Sequence, residues 1–427
     1  MSMDKDLSTL MPNVIPTTST PDSTPDHFTI QNSLLKTYQR LPVAFEYGEG
    51  AWLYTQDHKK YFDAVSGIAV TNLGHAHPKI TQNIQTQAAK LIHTSNLYHI
   101  PSQEALAKEL LNITGMDGCF FCNSGAEANE AAIKIARAYG HHKGITLPHI
   151  IVMEGAFHGR TLATLSATGN KKAQIGFEPL VEGFIRVPFN DIAAIEKLIH
   201  EDKNIVAILV EPIQGENGVR IGNAGYLTKL REICDQNKWL LMFDEVQTGN
   251  GRTGKYFAWQ HEHAQPDVLT TAKGLGNGFP IGACIAKGIA SQILSPGMHG
   301  TTFGGNPLAS TVALTVINTL FDENLIENAH HNGVLLCKLL SDEFAGADYI
   351  VDIRGKGLMI GIELDRPCAE LVAFALTKGL LINVTAEKVI RLLPPLIIKE
   401  SEVTWLVETL VKLIKVYVGD DRKSPRA

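Results

Sequence analysis

Six short apolar runs between residues 118 and 290 constrain the fold of this chain more than any other feature. In chain order they are CFF at 119, HIIVM at 149, IVAILV at 205, WLLMF at 239, DVLTTA at 267 and IGACIA at 281. Because they do not alternate between apolar and polar residues, they predict strands that are covered on both faces. Helical patterns separate several of the runs, at 125–140, 191–201 and 224–237. Alternating strands and helices predict an α/β fold with a mostly parallel central sheet.

Both ends of the chain differ from this central part. Residues 30–75 contain short strand-like pieces, and residues after about 307 contain long amphipathic helices and further short strands. We interpret the two ends as one smaller α/β domain beside the large one. The predicted division is a disordered lead-in over 1–30, a small domain built from 31–75 and 316–427, and a large domain over 76–315.

The composition excludes several classes of partner. The 427 residues carry a net charge of -6, so no basic surface is expected to bind nucleic acid or an anionic membrane. No apolar run approaches the roughly 20 residues of a membrane helix.

The first 28 residues lack an apolar segment and the first arginine is Arg40, so neither a secretory signal nor a transit peptide is expected. Six cysteines in so long a chain predict a reducing cytoplasm, and the C-x-x-C of Cys119 and Cys122 lacks the second ligand pair of a metal site.

Polar residues follow most of the predicted strands. They are Asn123, Ser124, Glu154, Glu211, Asp244, Glu245 and Lys273. In open α/β sheets, ligands bind beyond the carboxyl ends of the strands. We therefore expect these side chains to converge on one site.

The segment NSGAEANEAAIKIAR predicts a helix that begins at a phosphate site. Ser124 and Glu127 have the spacing of a capping box. Ser124, Gly125 and Ala126 leave backbone amides uncrowded at the positive end of the helix, where a phosphate is stabilised. The spacing alone is equally compatible with a well-capped helix that binds nothing.

Lys273 is the one charged residue in VLTTAKGLGNGFPIGA, residues 268–283. Three roles compete: a phosphate clamp, a surface lysine and an amine for covalent chemistry. A phosphate-loop lysine follows its glycines, whereas Lys273 precedes Gly274, Gly276 and Gly278, so the first role fails. Small apolar neighbours argue against the second. An amine near carboxylates and a phosphate site suits a Schiff base with the aldehyde of pyridoxal phosphate.

Asp244 supplies the acid that this cofactor requires. It directly follows the apolar run LLMF, which predicts a carboxylate at a buried strand end. Opposite the pyridine nitrogen, an ionised carboxylate keeps that nitrogen protonated and the ring electron-withdrawing. A purely structural Asp244 would need a cationic partner of its own.

Together these segments resemble the class III aminotransferases, a subgroup of the fold-type I pyridoxal-phosphate enzymes. The resemblance covers about residues 35–418. Its segments, in order, are GIAVTNLGHAHP, NSGAEANEAAIKIAR, AFHGRT, EPIQGENGV, FDEVQTGNGRTG, TTAKGLGNGFPIGA, HGTTFGGNP, IRGKGLMIGIEL and VIRLLPPL. It implies a large α/β domain with a small domain from both chain ends, and a homodimer with shared active sites.

The resemblance assigns further cofactor contacts. Lys273 and Asp244 keep the roles given above. Gln247 is implied to lie near the phenolic oxygen of the cofactor, and Phe157 to stack on its ring. The amides of Gly125 and Ala126 are implied to hold the phosphate, with Thr302 reaching it from a second subunit.

Substrate contacts follow in the same way. Arg391 is a single charge in the apolar run VIRLLPPL, where a guanidinium suits bidentate binding of a carboxylate. The resemblance implies that Arg160 binds the α-carboxylate of an ornithine-like donor. It also implies that Glu216 pairs with Arg391 while the donor is bound and moves away for 2-oxoglutarate. Ile68 stands where enzymes for free ornithine usually carry tyrosine, which favours an N-acylated donor.

The implied reaction is transfer of the δ-amino group of N2-acetyl-L-ornithine to 2-oxoglutarate. Succinylornithine, N-succinyl-diaminopimelate, ornithine and 4-aminobutyrate remain alternative donors, because the far end of the pocket cannot be assigned from the sequence. A pyridoxal-phosphate isomerase or decarboxylase on the same fold is an alternative of another class. The pairing of Glu216 with Arg391 argues against it, since a gated dicarboxylate site serves a two-substrate exchange.

Overall fold

The structure, a computed structural model, describes residues 34–419 of the 427. The lead-in predicted over residues 1–30 therefore lies outside the described residues. The described residues divide into two units between Pro42 and Val43. All the helices and strands given below lie in the second unit.

The strands and helices alternate along the chain much as the apolar pattern predicts. The strands are β1 (Tyr47–Glu49), β2 (Trp52–Tyr54), β3 (Lys60–Asp63), β4 (Gly118–Cys122), β5 (His149–Met153), β6 (Phe184–Val187), β7 (Ile205–Val210), β8 (Ile213–Gln214), β9 (Arg220–Ile221), β10 (Leu240–Asp244), β11 (Val268–Thr271), β12 (Gly282–Ala286), β13 (Ile350–Lys356), β14 (Met359–Leu364), β15 (Leu380–Leu381), β16 (Asn383–Thr385) and β17 (Val389–Leu392). The helices are α1 (Ser66–Ala69), α2 (Pro78–Ala88), α3 (Pro101–Thr114), α4 (Gly125–His142), α5 (Leu162–Ala167), α6 (Lys171–Gln174), α7 (Ile192–Glu201), α8 (Tyr226–Asn237), α9 (Pro307–Asp322), α10 (Leu325–Glu343), α11 (Glu370–Leu376) and α12 (Glu400–Val418). Within the described part of the chain, no helix has both the length and the apolar character needed to cross a membrane.

The central sheet has seven strands in the order β4-β12-β11-β10-β7-β5-β6. Neighbours from β11 to β6 run parallel, whereas β12 runs antiparallel to both β11 and β4. The sequence-based prediction of a mostly parallel sheet is confirmed. The antiparallel strand arises because residues 272–281 turn the chain back directly, with no crossover helix between β11 and β12.

Both faces of this sheet are covered, as the continuous apolar runs predict. Every residue of β7 is buried. Ile208 and Val210 pack in one hydrophobic cluster, whereas Ala207 and Leu209 pack in another. Because alternate residues of a strand point to opposite faces, these two clusters are the cores on the two sides of the sheet.

The two ends of the chain meet in a second sheet, of order β1-β2-β3-β15, in which β15 pairs parallel to β3. A third sheet, β13-β14-β17-β16, is antiparallel throughout and carries Arg391 on β17. The boundaries predicted for the large and small domains, at 75/76 and 315/316, stay a prediction.

Candidate active site

A cavity of ≈ 380 Å³ lies at the carboxyl ends of the central strands. Its walls include residues 123–126 after β4, 157–160 after β5, Glu211 after β7, Asp244, Val246 and Gln247 at the end of β10, and 272–273 and 278–281 after β11. This is the edge of the sheet at which α/β folds bind their ligands. The cavity is therefore the candidate active site.

The structure brings most of the sequence-predicted residues together at this cavity. The lining includes Ser124, Gly125, Ala126, Phe157, Arg160, Asp244, Gln247 and Lys273. Glu216 and Arg391 adjoin it, since Arg391 Nη1 lies 3.3 Å from Gln247 Oε1 and 2.7 Å from Glu216 Oε1. Ile68 and Thr302 are exposed and lie outside the lining, so their predicted roles are not visible in the single chain.

Two of the polar strand ends do not join the site, which corrects the expectation that all of them converge. Glu154 is exposed. The Glu245 carboxylate is buried and accepts hydrogen bonds from the amides of Ala258 and Trp259 and from the Thr248 hydroxyl. These hydrogen bonds hold the short helical turn at 258–261 in place. The Glu245 side chain therefore points away from the cavity that its neighbour Asp244 lines.

Lys273 presents a reactive amine to the cavity. Its Nζ atom makes no hydrogen bond or ion pair with any other residue of 34–419, although its backbone carbonyl accepts from the Gly276 amide. Burial lowers the pKa of its ammonium, although the nearby charge of Glu216 partly opposes this. Its φ of 47° is in the left-handed region, which a lysine rarely adopts. Such strain is concentrated at functional sites, and a lowered pKa favours the nucleophilic free amine.

The glycines after Lys273 allow the turn to pack closely. A Cβ on Gly274 would overlap the side-chain amide of Asn72, which is itself buried. A Cβ on Gly276 would overlap the carbonyl oxygen of Phe279. The glycine patch therefore shapes the turn that returns the chain into β12.

Asp244 is held by three hydrogen-bond donors at the end of β10. Its Oδ2 accepts from Asn129 Nδ2 at 2.7 Å and from His158 Nδ1 at 2.8 Å, while Oδ1 accepts from the Val246 amide at 3.0 Å. Thr270 on β11 fixes Asn129 in turn, because its hydroxyl donates to Asn129 Oδ1 at 2.7 Å. The network stabilises a carboxylate and fixes its direction.

His158 and Asn129 also belong to this site, although the sequence motifs did not predict them. His158 is buried within the segment AFHGRT, and its Nε2 atom has no hydrogen-bond partner among the described residues. Asn129 is a polar residue on the buried face of α4, where its buried neighbours include the apolar residues Ala128 and Ala132. A polar residue on an otherwise apolar helix face was the available signal, since buried amides require partners.

Glu211 joins two loops that line or adjoin the cavity. One oxygen accepts from the Phe157 amide at 2.8 Å, and the other from the Gly215 amide at 3.2 Å. Burial raises the pKa of this carboxyl to about 7, with a smaller contribution from the charge of Asp244. Through its two hydrogen bonds, Glu211 links the backbone at Phe157 to the loop that carries Glu216.

The first turn of α4 has the predicted capping geometry. The Glu127 amide donates to Ser124 Oγ at 3.2 Å, and the Glu127 carboxylate accepts from the Asn123 amide at 2.8 Å. The amides of Gly125 and Ala126 have no acceptor among residues 34–419, although both residues line the cavity. Free amides at a helix N-terminus suit a phosphate.

Arg391 lies behind the cavity and is 1% exposed, whereas the side chain of its partner Glu216 is 38% exposed. Arg391 Nη2 also donates to Asn383 Oδ1 at 2.7 Å. Burial alone would raise the pKa of Glu216, but the charge and hydrogen bond of Arg391, together with smaller contributions from Lys273 and Gln247, lower it overall. The arginine is fixed by its surroundings, and the glutamate is the partner with room to move.

Arg160 and Phe157 form a second cationic edge of the cavity. The guanidinium of Arg160 lies over the Phe157 ring, 5.6 Å from its centroid. Arg160 is exposed and makes no ion pair with another described residue, so its charge is available to a carboxylate ligand. Within residues 34–419, no group of three or more His, Cys, Asp or Glu side chains is arranged to hold a metal ion.

This fold and this set of residues define an aminotransferase of class III, and the chain belongs to that family. The sequence profile of the family, described as aminotransferase class-III, matches residues 35–414. The class prediction made from the sequence is confirmed.

Relatives of known name make the likeness more specific. The acetylornithine aminotransferase of Nitrosomonas europaea is 53% identical over 390 residues, which cover 89% of this chain and 99% of that protein. Its counterpart in Methanocaldococcus jannaschii is 47% identical and matches over 88% of this chain and 94% of that protein. Among solved structures, the acetylornithine aminotransferase of Elizabethkingia anophelis has a TM-score of 0.81 at 36% identity, over 90% of this chain and 96% of that one. The ornithine aminotransferase of Toxoplasma gondii has a TM-score of 0.88 at 32% identity, over 92% and 94%.

The cofactor of this class is pyridoxal 5′-phosphate, and the cavity fits it. Lys273 offers an unpaired amine, Asp244 a fixed carboxylate, and α4 two amides without acceptors. These are the three groups that the aldehyde, the pyridine nitrogen and the phosphate require. Ser124, Phe157 and Gln247 complete the residues that would hold it.

Proposed function

We propose that the protein transfers the δ-amino group of N2-acetyl-L-ornithine to 2-oxoglutarate, giving N-acetyl-L-glutamate 5-semialdehyde and L-glutamate in arginine biosynthesis. The observation that carries the two-substrate exchange is the ion pair of buried Arg391 with partly exposed Glu216 beside the cavity. The choice of donor is supported by relatives named acetylornithine aminotransferase that are 50% to 53% identical over nearly their whole length.

The residues divide the work as follows. When bound, pyridoxal phosphate supplies an electron sink for the electron pair left on the substrate carbon after deprotonation. Asp244 holds the pyridine nitrogen in its protonated form. The Lys273 amine would anchor the cofactor and, as a free base, would move the proton at the substrate carbon that carries the nitrogen.

The substrate residues act in turn. Arg160 binds the α-carboxylate of the donor, while Glu216 neutralises Arg391. For the second substrate, Glu216 moves away and Arg391 binds the distal carboxylate of 2-oxoglutarate. Ile68 offers an apolar surface to the acylated nitrogen of the donor. A free α-ammonium at the same place would be buried without a partner, which is costly.

Donor choice provides the direct test. We expect kcat/KM for N2-acetylornithine to exceed that for ornithine by at least about tenfold, or ~1.4 kcal/mol of transition-state binding. Steady-state kinetics with the two donors at saturating 2-oxoglutarate would measure it, with succinylornithine and 4-aminobutyrate as further donors. Equal efficiency with ornithine would contradict the proposal and favour an ornithine aminotransferase, the name of several structural neighbours.

The two arginines provide a matched control for each other. Arg160→Ala is expected to raise KM for the donor more than KM for 2-oxoglutarate. Arg391→Ala is expected to raise KM for 2-oxoglutarate more than KM for the donor. The measurement is each half-reaction in single turnover, which separates the two substrates. If both variants impaired the same half-reaction, the assignment of one arginine to each carboxylate would be wrong.

The working form is proposed to be a homodimer with shared active sites. Large apolar side chains are exposed on the single chain near the 301–305 loop, which carries Thr302. They include Leu97 (85% exposed), Tyr98 (69%) and Phe303 (60%). The likeness to the family suggests that Thr302 completes the phosphate site of the second subunit.

A cytoplasmic location is proposed because all six cysteines are free thiols.

The dimer proposal has its own test. We expect light scattering to give a dimer at assay concentration, and Thr302→Ala to weaken cofactor binding by about tenfold or more, since it removes one hydrogen bond to a charged group. Thr404→Ala, on the exposed face of α12, is the control and should bind the cofactor as the wild type does. An active monomer would contradict the shared site.

A further inference from the structure

Asn383 also contacts Arg391, although the sequence motifs did not predict this contact and the ion pair with Glu216 does not depend on it. Three side-chain oxygens surround the guanidinium of Arg391: Nη1 donates to Glu216 at 2.7 Å and to Gln247 at 3.3 Å, and Nη2 donates to Asn383 at 2.7 Å. Only one of these three oxygens, that of Glu216, carries a charge. The contact with Asn383 therefore fixes the arginine without neutralising its charge.

The strand register explains why Asn383 occupies this place. Asn383 on β16 lies directly opposite Arg391 on β17, and Gly361 lies opposite it on the other side, on β14. Directly opposite residues on neighbouring strands have adjacent side chains. Because Gly361 has no side chain, Asn383 is the only directly opposite neighbour that can contact the arginine across the sheet.

Residues of β16 and β13 also hold the backbone of the loop that carries Glu216. The Thr385 hydroxyl donates to the Glu216 carbonyl oxygen, and Arg354 Nε donates to the Gly218 carbonyl oxygen at 3.0 Å. With the backbone held at both places, rotation of the glutamate side chain alone is sufficient to release Arg391. The contact between Asn383 and Arg391 does not involve that side chain.

We propose that Asn383 is a positioning residue that selects for a dicarboxylate acceptor, an inference that rests on the proposed function. It keeps the Arg391 guanidinium pointing at the cavity after Glu216 has left. Because its amide oxygen is neutral, the full positive charge of Arg391 is then available to the distal carboxylate of the acceptor. A charged neighbour at the same place would occupy the arginine permanently.

Two substitutions separate this role from a structural one. Asn383→Asp keeps the shape and an acceptor oxygen but adds a permanent negative charge, whereas Asn383→Ala removes the contact. If Asn383 only supported the fold, the aspartate variant would resemble the wild type and the alanine variant would be worse. Our proposal predicts the opposite order, with the aspartate variant binding a dicarboxylate most weakly.

The experiment measures binding of glutarate, a non-reacting five-carbon dicarboxylate, to the purified holoenzyme by titration calorimetry. We expect Asn383→Asp to bind glutarate at least about tenfold more weakly than the wild type, or ~1.4 kcal/mol, and more weakly than Asn383→Ala. KM for N2-acetylornithine should change by less than about threefold. Asn223→Asp adds the same charge at an exposed position and should bind glutarate as the wild type does.

Arg391→Ala makes the outcomes distinguishable. If it loses glutarate binding but Asn383→Asp binds glutarate within tenfold of the wild type, the positioning role is overturned and the proposed function stands. If Arg391→Ala binds glutarate as the wild type does, the acceptor site lies elsewhere. Both the acceptor half of the proposed function and the role of Asn383 would then be wrong.

Discussion

Lys273→Ala is expected to abolish transamination, with a loss in kcat of at least about a thousandfold, because the variant loses both its covalent anchor and the base that moves the substrate proton. The structure supports both roles for the same atom. The amine lies at the cavity without a partner among residues 34–419, and burial lowers its pKa toward the free base. Its backbone, with φ of 47°, is in the left-handed region, where strain is often found at functional sites.

Borohydride reduction followed by peptide mass analysis is the direct measurement. In the wild type, reduction should fix the mass of the cofactor on the peptide that contains Lys273, and the variant should show no modified lysine. Lys273→Arg should be as inactive as Lys273→Ala, since it retains a charge but no nucleophilic amine. Lys197→Ala, on the exposed face of α7, should keep full activity. A modified lysine elsewhere in the Lys273→Ala protein would move the covalent site.

The fold was largely predictable because buried parallel strands have a strong local signature. The apolar runs at β5, β7 and β10 match strands that are almost entirely buried. β6 gave no comparable signal, since it lies at the edge of the sheet, where burial is incomplete. The antiparallel direction of β12 was also beyond prediction, because an apolar run states that a strand is buried but not which way it runs.

Many of the predicted site residues line the cavity, whereas the expectation that all polar strand ends converge there failed where side-chain direction decides. Asp244 and Glu245 are adjacent, yet only Asp244 lines the cavity, because successive side chains of an extended segment point in opposite directions. Glu154 and Glu211 both follow strands, but Glu154 is exposed and Glu211 buried. Asn383 was missed because its role depends on the register of β16 against β17. Register is a tertiary property that the local sequence does not contain.

Asp244→Asn is expected to retain the cofactor but lower kcat by about a thousandfold, or ~4 kcal/mol. The substitution preserves shape and removes the charge that keeps the pyridine nitrogen protonated. It also disturbs the network, because His158 and Asn129 donate to one oxygen and the Val246 amide donates to the other. An amide has one oxygen, so its NH₂ group must face a donor on one side.

Asp267→Asn is the matched control for the structural part of this effect. Asp267 precedes β11 at the opposite end of the sheet, where it accepts from the Leu241 amide at 2.8 Å and pairs with Arg231. Its substitution should lower thermal stability without a specific loss in kcat, because it lies outside the cavity. The measurement is kcat in cofactor-saturated enzyme together with the melting temperature. If Asp244→Asn kept kcat within tenfold of the wild type while Asp267→Asn lost as much stability, the carboxylate of Asp244 would be structural. The electron-withdrawing state of the cofactor would then have to be maintained by another group that faces the cavity.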